Sequence, residues 1–387
     1  MKPPNRTFAA CGTTIFETMS RLAALHGAIN LGQGFPEGLE PEAVVAAAAR
    51  ACTAGPHQYP SMMGLPALRE AVAAHEARHY GLAVDPAEVM VTSGATEALA
   101  ACLFGLIEPG DEVVLIEPLY DSYLPIIRRA GGVPKLVRLV PPEWALPHAE
   151  LEAAFSPRTK LVLLNSPTNP CGKVWDMDEL GVLAGLLERH DALAICDEVY
   201  EHLVYDGLRH VPLMTLPGMR ERCLKVGSAG KIFSLTGWKV GWVVAAPGLL
   251  APVAKAHQYL TFTTPPALQA AVAWGLDHAR DYVEGLAGVL AGRRDRLADG
   301  LRQAGFAVLP TAGSYFLSAD IRPLGFAGDD AAFCRHLTEA AGVAAIPVSA
   351  FYDGAGAGTY ARFCFAKTDA AIDAAVARLT TWAAARD

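Results

Sequence analysis

Two lysines lie in one short segment that is rich in glycine and serine. Lys231 follows residues 227–230 (Gly-Ser-Ala-Gly), and Lys239 comes a few residues later. A lysine that is partly desolvated and near other cations has a lowered pKa and becomes an amine nucleophile. The segment is not a P-loop, because too few residues separate its glycines and Ile232 follows the lysine. For a lysine taken alone, a solvated surface position is the alternative interpretation.

Two charged residues stand in apolar surroundings. Asp197 ends an apolar run, with Tyr200 three positions later, and a bare carboxylate there is costly unless a cation or a hydrogen-bond donor faces it. Arg362 interrupts another apolar run, and its guanidinium cannot be neutralised, so it requires a carboxylate. That carboxylate could belong to a substrate or to the protein itself. For Asp197 the alternative is a structural ion pair or a helix cap.

Two further segments combine turn-forming residues with polar groups. Residues 92–99 place small and hydroxyl side chains just before an apolar helical run, which favours binding of an anion such as phosphate at the helix N-terminus. An ordinary N-cap formed by Ser93 or Thr96 is the alternative. In residues 165–172 two prolines keep the backbone out of a helix and place Asn169 at a sheet edge, unless the segment is a plain turn.

These side chains need a scaffold, and the apolar pattern predicts a mainly parallel sheet covered by helices. The predicted strands are 113–117, 161–165, 193–197, 224–227 and 240–245. The first four end in charged, polar or glycine residues, so we expect a site in a crevice at their carboxyl ends. A helix over 282–303, followed by strands at 306–309, 315–319 and 362–365, predicts a second and smaller α/β domain.

Composition and spacing disfavour several classes of protein. The 387 residues include 32 Lys and Arg against 40 Asp and Glu, so the net charge of −8 does not favour nucleic acid as a partner. A nicotinamide site is excluded because Glu37 stands where the third glycine after Gly32 and Gly34 is required. The 8 cysteines lack the spacing of a disulfide framework or a zinc site, so no metal is expected.

The sequence shows neither a membrane span nor a secretory signal. The longest apolar run, 98–107, is too short to span a membrane, and the first residues lack the apolar core of a secretory signal. We therefore expect a globular, cytoplasmic protein without a membrane partner. We expect it to act on small molecules.

Taken in order, these segments resemble the signature of class I/II aminotransferases, which are pyridoxal-phosphate enzymes of the type I fold. The resemblance extends over essentially the whole chain. Residues 31–36, 117–123, 257–262 and 345–349 are similar to the kynurenine, glutamine and methionine aminotransferase branch and to N-succinyldiaminopimelate aminotransferases.

The fold that this resemblance implies is an α/β transferase with a large and a small domain. Residues 1–40 would form an N-terminal arm and part of the small domain. Residues 41–276 would form the large cofactor-binding domain around a mainly parallel sheet flanked by helices, and residues 277–387 the small C-terminal domain.

The resemblance also implies a role for each matching residue, with pyridoxal 5′-phosphate as the cofactor. Lys231 would bond to the cofactor aldehyde and move protons, Asp197 would face the ring nitrogen, and Tyr200 would contact the ring oxygen. The residues expected to bind the cofactor are Gly94, Ala95, Thr96, Tyr120, Asn169, Asp197, Tyr200, Ser228, Lys231 and Lys239, with Tyr59 reaching the phosphate of the neighbouring subunit in a homodimer. Those expected to bind substrate are Gly34, Asn169, Arg362, Phe16 and Phe262.

The activity implied is transfer of an amino group from a neutral bulky amino acid to a 2-oxo acid. Methionine, glutamine, kynurenine and aromatic amino acids are the expected donors, because Phe16, Tyr59, Phe262 and Phe351 could form an apolar wall and no second arginine for a distal carboxylate is evident. Each of these aromatic residues could instead belong to the core.

Other activities are compatible with the same motifs. N-succinyldiaminopimelate aminotransferase and cysteine S-conjugate β-lyase are the enzymatic alternatives, whereas the acidic charge balance disfavours a cofactor-binding regulator of transcription. Thr96, Cys171 and Ile232 depart from residues that are usual in the family, which leaves the substrate open.

Overall fold

The computed structural model describes residues 2–354 and 356–386, in which helices and strands alternate along most of the chain. The strands are β1 (Ile29–Asn30), β2 (Val89–Thr92), β3 (Glu112–Glu117), β4 (Val133–Arg138), β5 (Thr159–Asn165), β6 (Leu193–Asp197), β7 (Cys223–Ser228), β8 (Gly241–Ala245), β9 (Ala307–Val308), β10 (Phe316–Asp320), β11 (Val343–Ala344), β12 (Ile346–Pro347) and β13 (Tyr360–Cys364). The helices are α1 (Arg6–Ala9), α2 (Ile15–His26), α3 (Glu42–Ala54), α4 (Pro66–Tyr80), α5 (Gly94–Leu106), α6 (Tyr123–Ala130), α7 (His148–Ala154), α8 (Met177–Arg189), α9 (Ala229–Ile232), α10 (Pro247–Leu260), α11 (Pro266–His278), α12 (Arg280–Gln303), α13 (Asp330–Ala340) and α14 (Asp369–Ala384).

The central sheet has 7 strands in the order β2-β8-β7-β6-β5-β3-β4. The strands from β7 to β4 in this order pair in parallel, whereas β8 is antiparallel to both of its neighbours. The carboxyl ends of β5, β6 and β7 therefore lie at the same edge of the sheet, where ligands bind in open α/β sheets.

Both faces of the central sheet are buried, as is usual for parallel sheets covered by helices. Val113 and Leu115 of β3 pack in a cluster with residues of α5, α6 and α10. Val114 and Ile116, which alternate with them, pack in a second cluster with residues of α4, α8 and α11. This double burial explains why the strands appear in the sequence as continuous apolar runs.

A smaller part of the molecule contains the antiparallel sheet β12-β13-β10-β9 and the two-stranded parallel sheet β1-β11. Its core includes side chains of α12, α13 and α14. The predicted class of fold, a mainly parallel central sheet flanked by helices with a second and smaller unit, is confirmed. The domain boundaries at residues 40 and 276 stay a prediction, although β1 pairs with β11 far along the chain.

Local sequence signals explain several element ends. Helix α8 begins at a capping box, in which the side chains of Asp176 and Glu179 each accept a hydrogen bond from the other residue's backbone N–H. Helix α4 begins with Pro66 and ends at Gly81, whose φ of 67° favours glycine. Within the described ranges, we find no helix with both the length and the apolar character that a membrane span requires.

Candidate active site

A cavity of about 300 Å³ opens at the carboxyl edge of the central sheet. Asn165, Asp197 and Ser228 line it from the ends of β5, β6 and β7, and Arg362 reaches it from β13. The position and size of the cavity are typical of a site for small molecules. The predicted site residues that line it are Phe16, Gly34, Gly94, Ala95, Thr96, Tyr120, Asn169, Asp197, Tyr200, Ser228, Lys231, Lys239 and Arg362.

Asp197 lies at the buried end of β6. Its Oδ2 accepts a hydrogen bond of 2.5 Å from the hydroxyl of Tyr123, and its backbone carbonyl accepts one of 2.8 Å from the Asn165 side chain. Burial raises the pKa of Asp197 to about 6, although the hydrogen bond from Tyr123 and the charge of Lys231 act in the opposite direction. Among the described residues Asp197 has no ion-pair partner, so its carboxylate can form an ion pair with a cationic ligand that enters the cavity.

Lys231 belongs to the short helix α9, directly after β7. Its Nζ donates a hydrogen bond of 2.8 Å to the hydroxyl of Tyr315, which in turn donates one of 2.8 Å to the carbonyl of Gly34. Burial lowers the pKa of Lys231 to about 8, and the nearby charges of Lys239 and Arg362 act in the same direction. The neutral, nucleophilic amine is therefore accessible near neutral pH.

The N-terminus of α5 forms an anion site together with Lys239. Ser93 occupies the N-cap position, but its side chain makes no capping hydrogen bond, and its backbone N–H donates to the carboxylate of Glu97 instead. Gly94 has a φ of 76°, and a Cβ built on it would lie 3.3 Å from Nζ of Lys239. The lysine ammonium is therefore next to the first N–H groups of the helix, an arrangement that favours phosphate.

Arg362 is a buried guanidinium with neutral partners. It donates 3.1 Å and 2.5 Å hydrogen bonds to the Asn169 side chain and to the carbonyl of Gly32, and its Cζ lies 3.9 Å from the centre of the Phe316 ring. No described carboxylate lies within ion-pair distance of it, and among these residues its Nε has no hydrogen-bond partner. Because a buried cation requires an anion, this geometry favours a substrate carboxylate over an internal one.

Tyr59 and Phe262 do not line this cavity. The two rings contact each other at 5.7 Å and are exposed, with 83% and 39% of their surfaces accessible. The expected contribution of Phe262 to substrate binding therefore does not arise within one chain. For Tyr59, contact with the site of a second subunit stays a prediction.

Several residues of the site were missed in the sequence. Tyr123 lies in the segment 117–123 beside the predicted Tyr120, and Asn165 lies in the segment 165–172 beside the predicted Asn169. The presence of a second polar residue in each segment was the signal that could have identified them. Tyr315 and Phe316 begin a predicted strand of the smaller unit, and their approach to Lys231 and Arg362 depends on tertiary packing. No local pattern indicated that approach.

The chain matches a known family over most of its length. Residues 26–379 match the family of class I and II aminotransferases. The chain therefore belongs to this family, as the motifs predict, and it is a pyridoxal-phosphate-dependent aminotransferase.

Individual relatives cover nearly the whole chain. The probable N-succinyldiaminopimelate aminotransferase of Mycobacterium tuberculosis is 46% identical over 383 residues, which cover 96% of each protein. The methionine aminotransferase of Escherichia coli is 40% identical over 377 residues, which cover 97% of each. The solved structure of N-succinyldiaminopimelate aminotransferase from Mycobacterium tuberculosis has a TM-score of 0.95 at 46% identity, and the match covers 98% of this chain and 100% of that one.

The cavity has the groups that pyridoxal 5′-phosphate requires. The start of α5 with Lys239 suits its phosphate, and the amine of Lys231 suits its aldehyde. The carboxylate of Asp197 has no described cationic partner and suits a protonated ring nitrogen, while Tyr120 offers an aromatic face in the same cavity. The residues present therefore fit this cofactor.

Proposed function

We propose that the protein transfers the amino group of a neutral, bulky amino acid to a 2-oxo acid, with pyridoxal 5′-phosphate held in the cavity described above. The observation that supports this most is the presence of Lys231, Asp197 and Arg362 in one cavity, each without an ion-pair partner among the described residues. The proposal includes the predicted homodimer and cytoplasmic location.

The cofactor would be held by groups of the large sheet. Gly94, Ala95 and Thr96 at the start of α5, with Ser228 and Lys239, would bind the phosphate. Asn169 and Tyr200 would hold the ring oxygen; burial raises the pKa of Tyr200, so its hydroxyl keeps its proton and can donate it in a hydrogen bond. When bound, the cofactor would supply an electrophilic aldehyde and a cationic ring that withdraws electrons from the substrate.

Arg362 would bind and orient the substrate α-carboxylate. Asn169 and Gly32 fix its guanidinium, and the ring of Phe316 packs against it, so the group is held before substrate arrives. A fixed carboxylate restricts the orientation of the Cα–H bond, which is how positioning lowers the barrier for its cleavage.

Lys231 would move the proton of that bond. Its Nζ is held by the hydroxyl of Tyr315, and its pKa of about 8 lies near physiological pH, where a general base and acid works best. Asp197 would keep the ring nitrogen protonated, and the hydroxyl of Tyr123 fixes the orientation of that carboxylate.

The lining of the cavity supports a neutral donor side chain. Lys231, Lys239 and Arg362 are the cations among the described lining residues, and each has a role above. Phe16 and Phe316 contribute apolar surface, and Gln33 contributes a neutral polar group. A donor with a distal carboxylate would leave that charge without a free cation among the described lining residues.

N-succinyldiaminopimelate is the second candidate donor. It is favoured by the 46% identity to the probable N-succinyldiaminopimelate aminotransferase of Mycobacterium tuberculosis. A cation from a second subunit would have to pair with its additional carboxylates.

A donor panel separates the two candidates. The purified enzyme would be assayed with methionine, glutamine, kynurenine, phenylalanine and N-succinyldiaminopimelate, with 2-oxoglutarate as acceptor. We expect the highest kcat/KM with a neutral donor. A clear preference for the succinylated donor would overturn our choice of substrate, and no transfer from any donor would overturn the proposed function.

A further inference from the structure

Three histidines form a cluster outside the cavity, between α4 and the turn that follows β6. His75 and His79 are four residues apart on α4 and so share one face of the helix, whereas His202 belongs to the turn. One nitrogen from each ring lies within 4.8 Å of those of the other two, and the Nε2 atoms of His75 and His202 are 2.9 Å apart. His75 is buried, and the other two rings are partly exposed.

A buried group of three carboxylates and one lysine lies next to the histidine cluster. Glu76 and Glu201, the chain neighbours of His75 and His202, both lie 2.6 Å from Nζ of the buried Lys225. Glu198 lies 3.9 Å from the same ammonium and 2.8 Å from Nε2 of His210, so Lys225 and His210 together face three carboxylates.

Some oxygens of these carboxylates are left without partners. Oε2 of Glu76 and Oε1 of Glu201 are buried and have no hydrogen-bond partner among the described residues. A buried carboxylate oxygen without a partner is costly, and a nearby dication would lower that cost.

We propose that the histidine cluster binds one divalent transition-metal ion, for which zinc is the probe of choice. Imidazole nitrogens are ordinary zinc ligands, and three of them leave a fourth position for water. Tetrahedral coordination with Zn–N bonds of about 2.1 Å places the nitrogens about 3.4 Å apart. The present separations include 2.9 Å between two of the rings and reach no more than 4.8 Å, so the His79 and His202 side chains would have to rotate slightly to close the site.

This proposal differs from the expectation of no metal, which rested on cysteine spacing. His75 and His202 are 127 positions apart, and the fold alone brings them together.

The ion would have a structural role. It would join α4 to the turn that carries Tyr200, two residues before His202 and on the wall of the cavity. Zinc bound at this site would therefore resist opening of that turn and raise the temperature of unfolding.

The test is titration of the chelator-treated holoenzyme with ZnCl₂ and, separately, MgCl₂, followed by calorimetry and thermal unfolding. We expect one zinc per chain, a rise in Tm and no saturable binding of magnesium. His79→Gln and His202→Gln should each weaken zinc binding at least about tenfold. His148→Gln, at the exposed start of α7, is the matched control and should bind as the wild type does.

Two results would overturn the proposal. One is the absence of saturable zinc binding to the wild type. The other is zinc binding of equal affinity in His79→Gln, which would place the ion elsewhere, for example at exposed Cys11 or Cys52. If His202→Gln fails to fold, His79→Gln still decides the question because the ring of His79 is partly exposed.

Discussion

Three charged side chains with no described ion-pair partner meet in the cavity. Lys231 bonds to the hydroxyl of Tyr315, Asp197 to the hydroxyl of Tyr123, and Arg362 to amide and carbonyl oxygens. Neutral partners hold these groups in place without neutralising them. Since buried charges without counter-ions destabilise a fold, we expect ligands to supply the charges opposite to those of Asp197 and Arg362.

Asp197→Asn should stabilise the cofactor-free protein while it abolishes transamination. Burial raises the pKa of Asp197 from its ordinary 3.8 to about 6. The folded protein therefore holds this proton more tightly than the unfolded chain does, and its stability falls as pH rises through this window. The resulting loss in the free energy of unfolding of the wild type reaches about 3 kcal/mol at pH 8.

Urea unfolding of wild type and Asp197→Asn at pH 8 and pH 4 measures this cost. The free energy of unfolding of Asp197→Asn should exceed that of the wild type at pH 8. This difference should fall below about 1 kcal/mol at pH 4. An equal difference at both pH values would show that the Asp197 carboxyl is not the group that titrates.

Arg362→Gln should lower kcat/KM for every amino donor by at least about a hundredfold, because it removes the charge that binds the α-carboxylate. Affinity for pyridoxal phosphate should change little. Arg302→Gln is the control, since Arg302 forms an exposed ion pair with Asp299 that contributes little. A similar loss of activity in both variants would contradict the role of Arg362.

At the level of elements, the strands buried on both faces were the easiest to predict. The runs at 113–117 and 193–197 appear as β3 and β6 because the side chains between two layers of helices are almost all apolar. Strand β4 was missed, since it is an edge strand that contains Pro134 and Lys135. Strands β1, β11 and β12 have two residues each and depend on distant pairing, which local patterns do not reveal.

The same distinction applies to the site. Asp197, Lys231 and Arg362 were predictable because each stands out from its own short segment of sequence. Tyr315 is an ordinary strand residue until folding brings its hydroxyl to Lys231.

Gly94→Ala tests the phosphate site at the start of α5. Alanine at a φ of 76° is strained and places a methyl group 3.3 Å from Nζ of Lys239. We expect a loss of about 1 kcal/mol in stability and weaker binding of pyridoxal phosphate in a spectroscopic titration.

Gly292→Ala is the matched control for that substitution. Gly292 is exposed within α12, with no atom within 4 Å of the added carbon, so alanine should stabilise the helix by about 0.5 to 1 kcal/mol. Unchanged cofactor affinity in Gly94→Ala would contradict the proposed site.

At the level of the whole molecule, the aromatic rings of Tyr59 and Phe262 form an exposed pair outside the cavity. In a homodimer with shared sites, Tyr59 would complete the phosphate site of the other subunit. Mixing inactive Lys231→Ala with inactive Tyr59→Ala should then restore activity, because each mixed dimer contains one site with both native residues.

Random exchange of subunits should restore about a quarter of wild-type activity. The readout is activity after the two variants are mixed, unfolded and refolded together. Failure to recover activity from dimers that have demonstrably exchanged would contradict the shared site.

The most direct test of the account is to identify the residue that bears the cofactor. The enzyme would be incubated with pyridoxal phosphate, reduced with borohydride, digested and analysed by mass spectrometry. We predict one phosphopyridoxyl group per chain on Lys231 and none in Lys231→Ala. Modification of another lysine, or of none, in an enzyme that still transfers amino groups would contradict the account.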